Sequence, residues 1–209
     1  MINKQKINKQ LILVDDCSTD GTKELIKKKL NKKVDKIIFH KKNNGKGACI
    51  KSAIKYSSGK IILIQDADLE YFPSDYAKLI KPILKNKTNV VYGSRVLYKK
   101  RYINSNFSSI FRVFANHILT MFSNFINDQK LTDAHTCYKV IKRDTFKKIK
   151  LEEKGFNFCP EITTKISLLN EKIVEVPIKY KGRSYKEGKK INFIDGVSAI
   201  KTLFYYRYF

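Results

Sequence analysis

Gln65-Asp66-Ala67-Asp68-Leu69-Glu70 sets three carboxylates within five residues, directly after the apolar run Ile61–Ile64. Like charges so close repel unless a cation joins them. Hard oxygen ligands at this spacing suit Mg2+ or Mn2+, which also grip a diphosphate. A second acidic pair, Asp15-Asp16, ends another apolar run and leads into Ser18-Thr19-Asp20-Gly21-Thr22. At a strand end these carboxylates suit a ribose or a base N–H. The same segment also reads as a capped turn, with Asp20 the N-cap of a helix from Thr22. A third segment, Asn43-Asn44-Gly45-Lys46-Gly47-Ala48, is a glycine-flanked turn entering a helix, where backbone N–H groups favour anions. It lacks the G-x-x-x-x-G-K-[ST] spacing of a nucleotide-hydrolysing P-loop.

Other candidates carry less on their own. Arg183 to Lys190 is a basic loop, and Asp133 taken alone is a surface acid. His40, His117 and His135 read as surface or packing residues, and no Ser-His-Asp constellation is visible. Cys17, Cys49, Cys137 and Cys159 form no C-x-x-C pair, so reduced thiols are expected.

The elements that must position these residues are read from hydrophobic patterning. Leu11–Val14, Ile37–Phe39 and Ile61–Ile64 are continuous apolar runs of strand length, as for strands buried on both faces. Helical segments, Thr22–Leu30 and Ala48–Tyr56, lie between them, so the order predicts right-handed crossovers and a parallel sheet. Pro73 opens a helix to about Leu84, and Asn89–Tyr92 reads as a fourth strand. Over Asn106–Ile126, Phe107, Ile110, Phe111, Phe114, Ile118, Leu119, Phe122, Phe125 and Ile126 recur at three- and four-residue steps. That predicts an amphipathic helix, either facing the core or resting on lipid or an apolar chain. Thr136–Ile141 reads as a strand, Pro160–Leu169 as a helix, and Ile173–Tyr180 as a strand with Val174, Val176 and Ile178 on one face. Phe193–Phe209 is apolar-aromatic and either lies on a membrane or packs as a last helix.

With 209 residues, 43% hydrophobic and 12% aromatic, the chain can bury a core, which excludes wholesale disorder. It has no apolar run of spanning length and no signal-peptide h-region, so a cytoplasmic location is expected. The net charge of +24 comes from lysines scattered along the whole chain, with arginine scarce. That pattern fits composition and solvated surface better than a nucleic-acid stripe, and no aromatic-basic RNA motif is present.

Taken in order, VDDCSTDGT (14–22), NNGKGACIKSAI (43–54), QDADLEY (65–71) and GSR (93–95) resemble successive motifs of inverting family 2 glycosyltransferases. LTDAHTCYKVIKRD (131–144), GFNFCPEIT (155–163), VEVPIKYKGRSYKEGKKI (174–191) and FIDG (193–196) are similar to the dolichyl-phosphate mannosyltransferase and polyprenyl-phosphate sugar transferase group. The resemblance implies an α/β GT-A fold, a mostly parallel sheet flanked by helices, with amphipathic helices in the C-terminal half. It implies a single domain over 1–209, with a nucleotide-binding part at about 10–95 and an acceptor- and membrane-facing part at about 96–209. The family's first strand and helix, lying between the strands at 11–14 and 61–64, are replaced here by MINKQKINKQ, so an N-terminally truncated domain is expected.

The resemblance further implies a hexose transferred from a nucleotide sugar, of GDP-mannose or UDP-glucose type, to a polyprenyl phosphate at the cytoplasmic membrane face. Asp15 and Asp16 would contact the base or ribose, with Lys46 near the nucleotide. Asp66, Asp68 and Glu70 would hold Mg2+ or Mn2+. Arg95 would approach the donor or acceptor phosphates, Asp133 the sugar or acceptor side. Arg183, Tyr185 and Lys189 would close over both phosphates, with Asp68, Asp133 and Arg183 catalytic. Alternatives are an inactive domain that binds nucleotide or membrane without turnover, and a family 2 transferase with another acceptor.

Overall fold

The computed structural model describes residues 2–97, 107–182 and 193–209. Arg183, Tyr185 and Lys189 lie outside the described residues. The chain opens with β1 (Ile12–Asp15), α1 (Thr22–Lys29), β2 (Lys36–Phe39), α2 (Lys46–Ile54) and β3 (Ile61–Leu63). A short 3-10 turn from Pro73 leads into α3 (Tyr76–Leu84), followed by β4 (Val90–Ser94) and α4 (Phe107–Asn127). β5 (Lys139–Lys142), α5 (Arg143–Lys147), α6 (Phe158–Leu168), β6 (Ile173–Pro177) and α7 (Phe193–Tyr208) complete it. The patterning located these elements to within a few residues, except α5, which it did not anticipate.

The α/β class holds, but the strands are arranged differently from one parallel sheet. β1 and β2 pair in parallel, Leu13 opposite Ile37, as a two-stranded unit. A separate four-stranded sheet has the order β3-β5-β4-β6. β5 runs antiparallel to both β3 and β4, and only β4 and β6 are parallel. β5 takes the interior place because Val140 and Ile141 are fully buried and its backbone is paired on both sides. Among the described residues no ladder joins β1 to β3.

Burial follows from this division. β4 is buried along its whole length, with α3 packed over it, whereas every apolar residue of β1 and β3 is only half-buried. The expectation of strands covered on both faces therefore fails for β1, β2 and β3. The core sits on the four-stranded sheet, built from Leu79, Ile83, Val90, Val91, Tyr92, Tyr138, Val140, Ile141, Phe158 and Ile162.

The C-terminal half stacks α4, α6 and α7 against one another. In its described part, α4 turns its polar residues inward: Thr120, Ser123 and Asn127 are buried, together with Ile126. Phe114, Met121, Phe122 and Phe125 are exposed, Phe125 at 87%. α7 adds exposed Phe204, Tyr205 and Tyr208. The aromatic stripe that marked α4 as amphipathic therefore faces mainly outward. No helix among the described residues is long and apolar enough to cross a membrane.

Candidate active site

β1 ends on the acidic pair, and both carboxylates bind within the chain. Asp15 is buried and accepts from Ser18 N at 3.2 Å and Ser18 Oγ at 2.5 Å. Asp16 accepts from the backbone N–H groups of Asn44 at 3.0 Å and Gly45 at 2.6 Å, and its Oδ1 lies 2.6 Å from His40 Nδ1. Burial pushes the Asp16 carboxyl up, but the bonds from His40, Asn44 and Gly45 outweigh it and hold the group below its usual range. The anion that the Asn44 and Gly45 amides meet before α2 is thus the chain's own Asp16, and within the first turn Ala48 N donates to Lys154 O at 3.1 Å. The glycines permit this closeness: Gly45 sits at φ 86°, and a Cβ on Gly45 or Gly47 would run into the backbone carbonyls of Lys154 and Glu153.

His40 is not incidental, since its Nε2 lies 2.8 Å from Ser52 Oγ. Asp16, His40 and Ser52 form a hydrogen-bonded row that sequence spacing concealed. Ser52 lies inside α2, where amides are spent on the helix itself, and the row ties the ends of β1 and β2 to α2. Cys49 joins this cluster: its sulfur and one ligand atom each from Asp16 and His40 lie within 4.8 Å of one another. Burial and the adjacent Asp16 push its thiol up to about 12, so it stays protonated.

The acidic turn after β3 faces the same end of the molecule. Lys46 Nζ pairs with Asp66 Oδ2 at 2.7 Å, bringing the glycine turn and the acidic turn together. Burial disfavours the Lys46 charge, but Cys137 and Asp66 beside it more than compensate and raise it above its ordinary value. Asp66 N donates to Cys137 Sγ at 3.2 Å, and Gln65 Oε1 accepts from Tyr76 and Tyr138 at 3.0 and 2.7 Å. Asp68 Oδ1 accepts from Glu70 N at 3.1 Å. Leu69 between them adopts φ 62°, a region disfavoured for a branched side chain. Glu70 is buried, and its Oε2 accepts from Tyr180 OH at 3.0 Å. Consequently Asp66, Asp68 and Glu70 are not a group with three ligand atoms within 4.8 Å; among the described residues only Asp16, His40 and Cys49 are. Asp66 and Asp68 still fit Mg2+ or Mn2+, which takes one or two carboxylates and completes its shell with water and substrate phosphates.

Arg95, just past β4, meets Asp133 across 38 residues of sequence. Its backbone N, Nε and Nη2 donate to the Asp133 carboxylate at 3.1, 2.7 and 2.7 Å. Asp133 is fully buried. Burial alone would raise its carboxyl, but the Arg95 guanidinium holds it below the usual range. The guanidinium also lies over the Tyr180 ring, 5.2 Å from its centroid, so Tyr180 connects Arg95 to Glu70.

The turn that carries Asp133 has supports that sequence reading missed. Glu175 on β6 accepts from Thr132 N and Oγ1, both at 2.7 Å, and from Asp133 N at 2.9 Å. β6 turns Glu175 toward the site; of the expected alternating set, Val176 and Ile178 pack on the core and only Val174 is exposed. On the inner side of α4, Asn116 Nδ2 lies 3.4 Å from Asp133 Oδ1, Thr120 Oγ1 accepts from Ala134 N, and Asn124 bonds both backbone groups of Leu131. His135 follows, and burial with Lys139 nearby pushes its imidazole down to about 4, so it is neutral at physiological pH.

Residues 1–150 match the family model described as Glycosyl transferase family 2. The chain belongs to that family. It is similar to the dolichol-phosphate mannosyltransferase of Pyrococcus furiosus, 29% identical over 195 residues, covering 90% of this chain and 53% of that protein. This family 2 chain therefore spans about half the length of that relative. It is also similar to the UDP-N-acetylglucosamine–dolichyl-phosphate N-acetylglucosaminyltransferase of Methanococcus voltae, 28% identical over 213 residues, covering 92% of this chain and 83% of that protein. In three dimensions it resembles the glucosyl-3-phosphoglycerate synthase of M. tuberculosis, with a TM-score of 0.67 at 16% identity over 95% of this chain and 69% of that one. The fold is GT-A, and the family 2 chain is a glycosyltransferase.

Proposed function

We propose that this glycosyltransferase moves a hexose from a nucleoside-diphosphate sugar, of GDP-mannose or UDP-glucose type, to a polyprenyl phosphate, with inversion at the anomeric carbon. The observation that carries the reading is the double use of α4. Its inner polar residues grip the turn bearing Asp133, while Phe114, Met121, Phe122 and Phe125 face outward. A phosphate on a long apolar chain suits such a surface: the headgroup goes to Arg95, which Asp133 orients, and the chain stays on the aromatic side. The relatives' names supply the same acceptor class, since both act on dolichyl phosphate. The lysine excess suits docking on an anionic cytoplasmic membrane face.

In the proposed reaction an acceptor phosphate oxygen forms a bond to the anomeric carbon as the bond to the donor diphosphate breaks, releasing the nucleoside diphosphate. The acceptor is already anionic near neutral pH, so no general base is required. Arg95 would orient one phosphate, with Asp133 fixing the plane of its guanidinium. Lys46 would add positive charge beside the leaving diphosphate. Arg183, Tyr185 and Lys189 are proposed to contribute to the same phosphates, and Asp15 and Asp16 to shape the nucleotide end. Asp66 and Asp68 would hold Mg2+ or Mn2+, which when bound offsets negative charge on the diphosphate. Glu70, whose Oε2 accepts from Tyr180 OH, would be a further ligand. The M. tuberculosis synthase, of the same fold, has been crystallised with Mn2+ and uridine diphosphate.

The test is transfer of labelled sugar from GDP-mannose and UDP-glucose to a polyprenyl phosphate in vesicles, with Mg2+ or Mn2+. One donor should give a lipid-linked sugar, and Asp68→Ala should lose about 100-fold or more in rate. Transfer from neither donor overturns the acceptor and donor assignment. Full activity of Asp68→Ala, or of the wild type in excess chelator, removes the metal from the reading.

A further inference from the structure

Lys139 stands out because it lies on the central strand β5 and is fully buried. A buried ammonium is costly, and among the described residues Lys139 is the one lysine that is fully buried, so it must meet specific partners. It does. Nζ donates to the carbonyls of Ala134 and Thr136, both at 2.9 Å, and lies over the Tyr92 ring, 4.0 Å from its centroid. Tyr92 is itself fixed by Thr163, 3.0 Å from its hydroxyl.

Those two carbonyls flank the far side of the turn that begins at Thr132. Glu175 takes the amides at its start, and Lys139 takes the carbonyls at its end. Asp133 lies between the two clamps, its carboxylate aimed at Arg95. We propose that Lys139 is a positioning residue: by holding the Ala134 and Thr136 carbonyls it fixes the turn that presents Asp133 to Arg95. Its ammonium does not touch the phosphates; it acts through Asp133. Burial and the repulsion of Lys46 pull its proton affinity down, while Cys159, Asp133 and Cys137 act against that pull. The effect on transfer rests on the reading proposed above, whereas the effect on the Arg95–Asp133 pair does not.

The experiment uses Lys139→Met, which keeps length and removes the donors, with Lys139→Arg as the conservative variant and Lys139→Gln as a shorter one retaining a donor. The first readout is the 15N-resolved Nε–H signal of Arg95, identified by its loss in Arg95→Lys. Bonded to Asp133, it should be displaced downfield and slow to exchange in the wild type and in Lys139→Arg. In folded Lys139→Met it should move to the position of a solvated arginine, with Lys139→Gln between. The second readout is transfer: kcat should fall about 100-fold in Lys139→Met, as for a misplaced catalytic geometry. Donor KM should move less than about threefold, since ground-state binding is untouched. If Lys139→Met does not fold, Lys139→Gln decides. An unchanged Arg95 signal in whichever variant folds overturns the proposal, and so does an unchanged kcat in an active enzyme. Because the NMR readout needs no substrate, a wild type that transfers no sugar counts against the functional reading and leaves this proposal to be decided by the Arg95 signal.

Discussion

The Arg95–Asp133 pair sets what single residues can change at this site. Asp133 has no exposed surface and Arg95 is mostly covered, so removing either charge strands the other. The Asp133 carboxyl is held below its ordinary value of 3.8 by the net effect of Arg95 over burial. Its contribution to stability is therefore complete above about pH 4 and drains as pH falls through the lower folded value. In Asp133→Asn that acid-side loss should disappear, while stability near neutrality drops by about 3 kcal/mol because the guanidinium lacks its carboxylate. Urea unfolding at a series of pH values reads both effects, and an acid limb as steep as the wild type's contradicts the assignment. Residue types marked Asp66 and Asp68 from the sequence, because carboxylates crowded at a strand end have few structural uses. Nothing local could pair Arg95 with Asp133, or single out Lys139 in a chain with 43 Lys and Arg. The apolar residues around Lys139, Tyr138, Val140 and Ile141, were the one available signal that this lysine is enclosed.

At the scale of elements, α2 is held by contacts that only glycine allows. Gly47 replaced by alanine would gain about 1 kcal/mol of helix propensity. The new Cβ, however, meets the Glu153 carbonyl, which is backbone and cannot swing away. The clash should prevail, leaving Gly47→Ala destabilised by about 1–3 kcal/mol. Gly155→Ala, with nothing within 4 Å of the added carbon, serves as the control. Thermal unfolding of the two variants makes the comparison; equal melting temperatures would dispose of the close approach. Periodicity located α4 but not the direction of its faces. That direction depends on partners far along the chain, since Thr120 and Asn124 are drawn inward by the backbone of Ala134 and Leu131. The alternation in β6 gave a strand, while the reach of Glu175 to Thr132 and Asp133 was not legible in it.

At the scale of the molecule, the family resemblance gave the fold, because motifs spread from Val14 to Gly196 report a whole arrangement and not one element. The division of the strands into two sheets was not legible, since a continuous apolar run states that a strand is buried and not which neighbour it pairs with. That division also sets how the molecule opens. Among the described residues β1 and β2 share no ladder with the four-stranded sheet, and their apolar residues are half-buried. What fastens them is α2, through the Asp16–His40–Ser52 row and the Lys46–Asp66 pair. Two units so joined should not melt as one. The amides of Leu13, Val14 and Ile38 should exchange with solvent through partial openings, while those of Val91 and Ile141 wait for global unfolding. Native-state hydrogen exchange in low denaturant separates the two classes by slope, and a single common slope would mean the halves open together. The end of the chain holding the carboxylates proposed to face the nucleotide would then be the part that breathes, and donor binding would be read as slowed exchange there first.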